Sequence, residues 1–139
     1  MGRLIGIDFG GKRTGLSETD DLKIVAGAWR AIPTTELMNT LTEYIQKYNV
    51  DGIVVGKADR LSGEESSIEK EIKVFLKEFS ESHPTVTVYR QDESGTSQQA
   101  ARQLYAMGAS KKARAKKENV DIMSAVLILQ QFLENNTSL

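Results

Sequence analysis

Arg3-Leu4-Ile5-Gly6-Ile7-Asp8-Phe9-Gly10-Gly11-Lys12-Arg13-Thr14-Gly15-Leu16-Ser17 is the stretch that decides the fold. Residues 3–9 form a short apolar run interrupted by one acid, which reads as a buried β-strand. Gly10-Gly11-Lys12-Arg13 reads as a turn, and Thr14-Gly15-Leu16-Ser17 as a strand returning beside the first. Residues 24–32 give a third strand. Three strands this close in sequence predict an antiparallel meander.

Beyond Thr34 the hydrophobic period changes. Leu37, Leu41, Tyr44, Ile45 and Tyr48 recur on one helical face, with Thr34 or Thr35 as the predicted cap. Gly52-Ile53-Val54-Val55-Gly56 is a short buried strand, followed by a polar loop over residues 57–63. Ser66 or Ser67 opens a second helix through Ile68, Ile72, Phe75, Leu76 and Phe79, which Pro84 ends. Val86 and Val88 mark a fifth strand. A third helix starts near Thr96 or Ser97 and stops at Gly108. The basic segment 111–117 leads into a last helix over residues 118–134, apolar on most sides and therefore deeply packed. The order predicts one α/β domain over residues 1–139: a mixed five-stranded sheet, antiparallel at first and then built by parallel crossovers, flanked by helices. Such sheets place sites at the carboxyl ends of their strands.

Composition removes several chemistries. The chain of 139 residues has no cysteine and a single histidine, His83, next to Pro84. A thiol nucleophile and a thiolate metal site are excluded, and His83 reads as a solvated loop residue. Hydrolysis here would have to use Asp, Glu, Lys or a bound metal. The net charge is -1, yet no acid occurs between Ser94 and Lys117, and that stretch carries Arg102, Lys111, Lys112, Arg114 and Lys116. A local basic patch of this kind can hold phosphates; the competing reading is a solvated charged linker. No apolar run approaches the roughly 20 residues of a membrane helix, and no secretion signal is present, so the expected compartment is the cytoplasm.

Asp8, Glu93 and Asp121 stand in unusual places. Asp8 interrupts a buried strand, Glu93 follows the fifth strand, and Asp121 lies in the first turns of the most apolar helix. Each has an ordinary explanation alone: a turn cap, a solvated loop acid, and an acid favoured by the helix dipole. Together, the predicted topology brings two strand ends and one helix start to one edge of the sheet. Carboxylates about 4 Å apart repel by roughly 4 kcal/mol at an effective dielectric of about 20 and so require a proton or a cation. Magnesium suits such a set, because it takes oxygen ligands and keeps waters that a phosphate can replace. Gly6-Ile7-Asp8-Phe9-Gly10-Gly11-Lys12-Arg13 nearly fits a phosphate-binding loop. Arg13 replaces the required Ser or Thr, and a strand rather than a helix should follow.

Ile7-Asp8-Phe9-Gly10-Gly11-Lys12-Arg13-Thr14-Gly15 closely resembles the opening motif of the YqgF family of ribonuclease H-like proteins. The resemblance continues in order through Ile53-Val54-Val55-Gly56, Asp92-Glu93, Lys111-Lys112-Ala113-Arg114, Val120-Asp121 and Ser124-Ala125-Val126-Leu127-Ile128-Leu129-Gln130. It implies a ribonuclease H-like fold and a nuclease dependent on magnesium or manganese. Asp8, Glu93 and Asp121 would be the catalytic, metal-binding acids, and Lys12, Arg13, Lys111, Lys112 and Arg114 would hold the nucleic-acid backbone. The implied role is maturation of the 5′ end of pre-16S ribosomal RNA within ribosomal precursor particles, with resolution of branched DNA junctions as the alternative.

Two departures bear on substrate grip, specificity and activity. Ser94 stands where the family usually has arginine, and residues 56–63 share little with the family's loop beyond Gly56, Leu61 and Gly63. They leave open a binding module without catalysis. The glycine-rich turn also resembles the start of actin-like ATPases, which leaves nucleotide binding as a further reading. No dimer face is visible in the sequence.

Overall fold

The computed structural model describes residues 2–57, 67–92, 96–112 and 116–136, with the backbone alone at 96–98. Of the predicted loop at 57–63, Lys57 ends a strand instead, and residues 58–63, together with Glu93, Ser94, Gly95 and Arg114, lie outside the described residues.

Five strands form one sheet: β1 Arg3–Asp8, β2 Arg13–Thr19, β3 Ala26–Pro33, β4 Val50–Lys57 and β5 Thr87–Asp92. Their spatial order is β3-β2-β1-β4-β5. The first three form the expected antiparallel meander, and β4 and β5 run parallel to β1. The longer helices among the described residues are α1 Leu37–Lys47, α2 Ser67–Ser82, α3 Thr96–Ala106 and α4 Lys117–Asn135. No helix among the described residues is long and apolar enough to cross a membrane.

Period-two alternation sends the side chains of β1 and β2 to opposite faces. Ile5, Ile7 and Leu16 pack with Leu37 and Leu41 of α1 and with Ile72, Phe75 and Phe79 of α2. Leu4 and Val54 face the other way, against Met123, Val126, Leu129 and Phe132 of α4. Helix α4 lies across β1, β2 and β3, which accounts for an apolar surface wider than a single stripe. Gly108 ends the α3 region at φ +80°, a left-handed position suited to glycine.

Three sequence expectations are corrected. Neither Thr34 nor Thr35 caps α1. Both lie in a 3-10 turn, Thr34–Glu36, and Glu36 occupies the cap position without a side-chain hydrogen bond. The Thr34 hydroxyl instead donates to the Gly10 carbonyl at 2.6 Å, so it is turned away from the helix. Tyr48 is not part of the α1 face: it lies beyond the helix in extended backbone and is 41% exposed. His83 is not a solvated loop residue. Its Nε2 shares a 3.0 Å hydrogen bond with the Thr42 hydroxyl, and its ring packs 5.0 Å from Phe79.

Candidate functional site

β1, β4 and β5 are parallel, so their last residues share one edge of the sheet. Asp8 ends β1 there, and Lys57 and Asp92 end β4 and β5 as register partners. With strands about 4.8 Å apart, β5 lies about 10 Å from β1. Glu93, next in sequence after Asp92, is outside the described residues.

Asp8 is paired across the antiparallel ladder with Gly15 of β2. It follows Gly6 by two residues and so shares its face. That face is turned to α4: a Cβ on Gly6 would come within 2.8 Å of the Ala125 carbonyl oxygen. Gly15 is still more tightly covered, since a Cβ there would lie 2.0 Å from the carbonyl oxygen of Asp121. The missing side chain is what admits the helix. By this approach the first turns of α4 bring Asp121 beside the residue paired with Asp8, across 113 residues of chain (121 − 8). Two residues further along β2, the Ser17 hydroxyl donates to the Ala125 carbonyl at 2.7 Å and holds α4 in this seat.

Arg13 opens β2 on the same face. Its Nε donates to Asp121 Oδ2 at 3.1 Å, with the two side chains 35% and 22% exposed. A fixed positive charge therefore stands against one of the expected metal-binding acids. Lys12 precedes it in the turn, and Lys111 and Lys112 precede α4; all three are exposed. Arg114 lies outside the described residues.

Among the expected acids, Asp8 is the ladder partner of Gly15, and the backbone of Asp121 lies against that same glycine. No complete group of three His, Cys, Asp or Glu residues able to hold a metal occurs among the described residues, from which Glu93 is absent. The expected donors are carboxylate oxygens. His83, just before β5, belongs to the opposite edge of the sheet.

Supporting residues emerge that the sequence reading did not assign to the site. The fully buried Thr14 shares a 2.9 Å hydrogen bond with the Thr34 hydroxyl, and the Thr34 amide donates to the Lys12 carbonyl at 2.9 Å. These bonds fix the glycine turn that follows Asp8. At the end of β4, the Arg90 guanidinium donates to the Val55 carbonyl at 3.2 Å and the Gly56 carbonyl at 3.0 Å, and also pairs with buried Glu69 of α2. A buried charge is tolerated when so paired. An arginine within a half-apolar strand was the available signal for this clamp.

Comparison with known proteins covers nearly the whole chain. The model of the family described as "RuvX: Holliday junction resolvase" matches residues 2–135. A Porphyromonas gingivalis protein named "Putative pre-16S rRNA nuclease" is 38% identical over 135 residues, 97% of this chain and 98% of the relative. A Christiangramia forsetii protein of the same name is 38% identical over 133 residues, 96% and 98% of the two chains. Among solved structures, Thermus thermophilus RuvC in complex with a Holliday junction substrate aligns with TM-score 0.55 at 13% identity, covering 97% of this chain and 96% of that one. The latter likeness is one of fold, the ribonuclease H-like sheet and helices.

Proposed function

Because the chain belongs to the RuvX family of Holliday-junction-resolvase-like proteins, we propose that it is a divalent-metal nuclease that cuts phosphodiesters at the carboxyl edge of its sheet. Asp8, Glu93 and Asp121 would hold magnesium or manganese. The donor chemistry fits: hard carboxylate oxygens, with neither thiolate nor imidazole beside them. The metal, when bound, would supply Lewis acidity at the phosphoryl oxygens and a more acidic attacking water. Water would attack phosphorus in line, and the bond to the opposite ester oxygen would break. The observation that carries this reading is the close approach of Asp121 to Gly15, directly across from Asp8.

The remaining residues orient and grip. Thr34 and Thr14 hold the turn after Asp8, while Gly15 and Ser17 set the depth of α4. Lys12, Arg13, Lys111, Lys112 and Arg114 supply cations for the backbone on either side of the cut. Phosphate contacts of this kind position a substrate without reading its sequence. The names of these relatives favour precursor 16S ribosomal RNA as substrate; acting on it would put this protein at ribosomal precursor particles, in the cytoplasm. The family description favours branched DNA as the second reading.

A cleavage assay on matched precursor RNA and four-way DNA junctions, with and without magnesium, distinguishes the two. Cleavage of the RNA by the wild-type protein, lost in Asp8→Asn with the fold retained, is the expected result. Unchanged turnover in Asp8→Asn would refute the metal site, and cutting of the junction alone would transfer the assignment to DNA.

A further inference from the structure

We infer that Arg13 is a built-in counter-cation of the metal site, which holds Asp121 before the divalent ion arrives and is released by that ion to the substrate phosphate. The inference rests on the proposed metal-binding role of Asp8 and Asp121 and adds a coupling between metal and substrate. Its basis is the 3.1 Å contact from Arg13 Nε to Asp121 Oδ2, between residues 108 apart in sequence. Arg13 sits in β2 two residues before Gly15, on the face against which α4 packs. The guanidinium keeps its charge at every physiological pH, so it cannot yield by losing a proton. It must instead share the carboxylate with an incoming cation or move away from it.

The surroundings allow that movement. The Arg13 side chain is 35% exposed and that of Asp121 is 22% exposed. A pair at this depth is weakly held, and an ion with twice the charge competes for the same oxygen. A guanidinium displaced from Asp121 stays at the mouth of the site beside Lys12, where phosphate offers it a forked, charge-assisted partner. Arg13 would thus lower affinity for the metal alone and raise the affinity of the metal-loaded protein for nucleic acid. By linkage, metal and substrate would strengthen each other's binding by the same factor.

Isothermal titration of the full chain with Mn2+ tests the first half, using wild type, Arg13→Gln and Asp8→Asn, with thermal melts of each as a folding control. Arg13→Gln is expected to bind Mn2+ about three- to tenfold more tightly than wild type. A merely structural ion pair would leave affinity unchanged or weaken it, and either result overturns the inference. Arg13→Lys, which keeps the charge, should return affinity toward the wild-type value. For the second half, binding of a phosphorothioate-substituted RNA resistant to cleavage is measured with and without Mn2+. The enhancement by Mn2+ should shrink about three- to tenfold in Arg13→Gln, and an undiminished enhancement overturns the release to phosphate. Wild type that binds no Mn2+ would defeat the metal-site reading itself. Wild type that binds Mn2+, with Asp8→Asn impaired and Arg13→Gln unchanged, would defeat this inference alone.

Discussion

Along the same two strands, β1 and β2, the two faces of the sheet use opposite kinds of residue. One face carries Ile5, Ile7 and Leu16, all fully buried against α1 and α2. The other begins with buried Leu4 against α4 but toward the carboxyl edge carries Gly6, Asp8, Arg13, Gly15 and Ser17, and there meets α4 through backbone oxygens, a hydroxyl and an ion pair. Large side chains keep a helix at side-chain distance and bury apolar area. Small ones let its backbone reach the sheet. The first face is built for stability and the second to set the position of Asp121, so substitutions on the two faces should separate stability from activity.

The largest stability effect is expected on the aliphatic face. Phe79 is fully buried there, stacked near Phe75 and His83. Phe79→Ala should cost about 3–5 kcal/mol in urea unfolding. The fraction still folded should cleave normally, and a cleavage loss larger than the unfolded fraction would break the division between faces. Gly15→Ala is the converse test. Its methyl would meet the Asp121 carbonyl at 2.0 Å, so α4 must retreat. The stability cost should be smaller, about 1–3 kcal/mol, while turnover should fall about 100-fold from misplacement of Asp121. Turnover that merely followed the folded fraction would show that the seat of α4 does not matter.

Ser17→Ala sharpens the same comparison. It removes the 2.7 Å bond to Ala125 and should cost about 0.5–1.5 kcal/mol by thermal melt. Its effect on cleavage should be well below that of Gly15→Ala.

The smallest effect concerns acid, at the amino edge of the sheet, away from both functional faces. The amides of Val25 and Ile24 hold the Asp20 carboxyl below its ordinary value of 3.8, and the Lys23 ammonium does the same for Asp51. Both groups bind protons less readily when folded. Their contribution is therefore present above the ordinary carboxylate range and is lost as pH falls through the depressed values. Melting temperature should decline below about pH 4, and less steeply in Asp20→Asn combined with Asp51→Asn. Equal slopes would remove these two carboxyls as the cause.

The sheet was legible because its strands announce themselves through local period and turn chemistry. The apolar run into Asp8, the glycine turn, and Val54-Val55 each carry their own signal, and the short and long connections then separate antiparallel from parallel pairing. Asp8 and Asp121 were legible as acids in apolar surroundings. What remained hidden depends on distant partners. Thr34 has the chemistry of a helix cap, yet its hydroxyl is taken by Gly10 and Thr14, which only the folded meander brings near. His83 resembles a loop residue until Thr42 and Phe79 are placed beside it. Arg13 belongs by composition to the basic turn, and its pairing with Asp121 follows from the seating of α4 on Gly15. No local pattern encodes that contact.

Diffraction from crystals soaked in Mn2+, recorded at a wavelength where manganese scatters anomalously, probes the seat of the reaction without relying on turnover. A peak bridging the carboxylates of Asp8 and Asp121, with Glu93 as a further ligand, is the result expected. Ordered side chains with no peak between them would contradict the account.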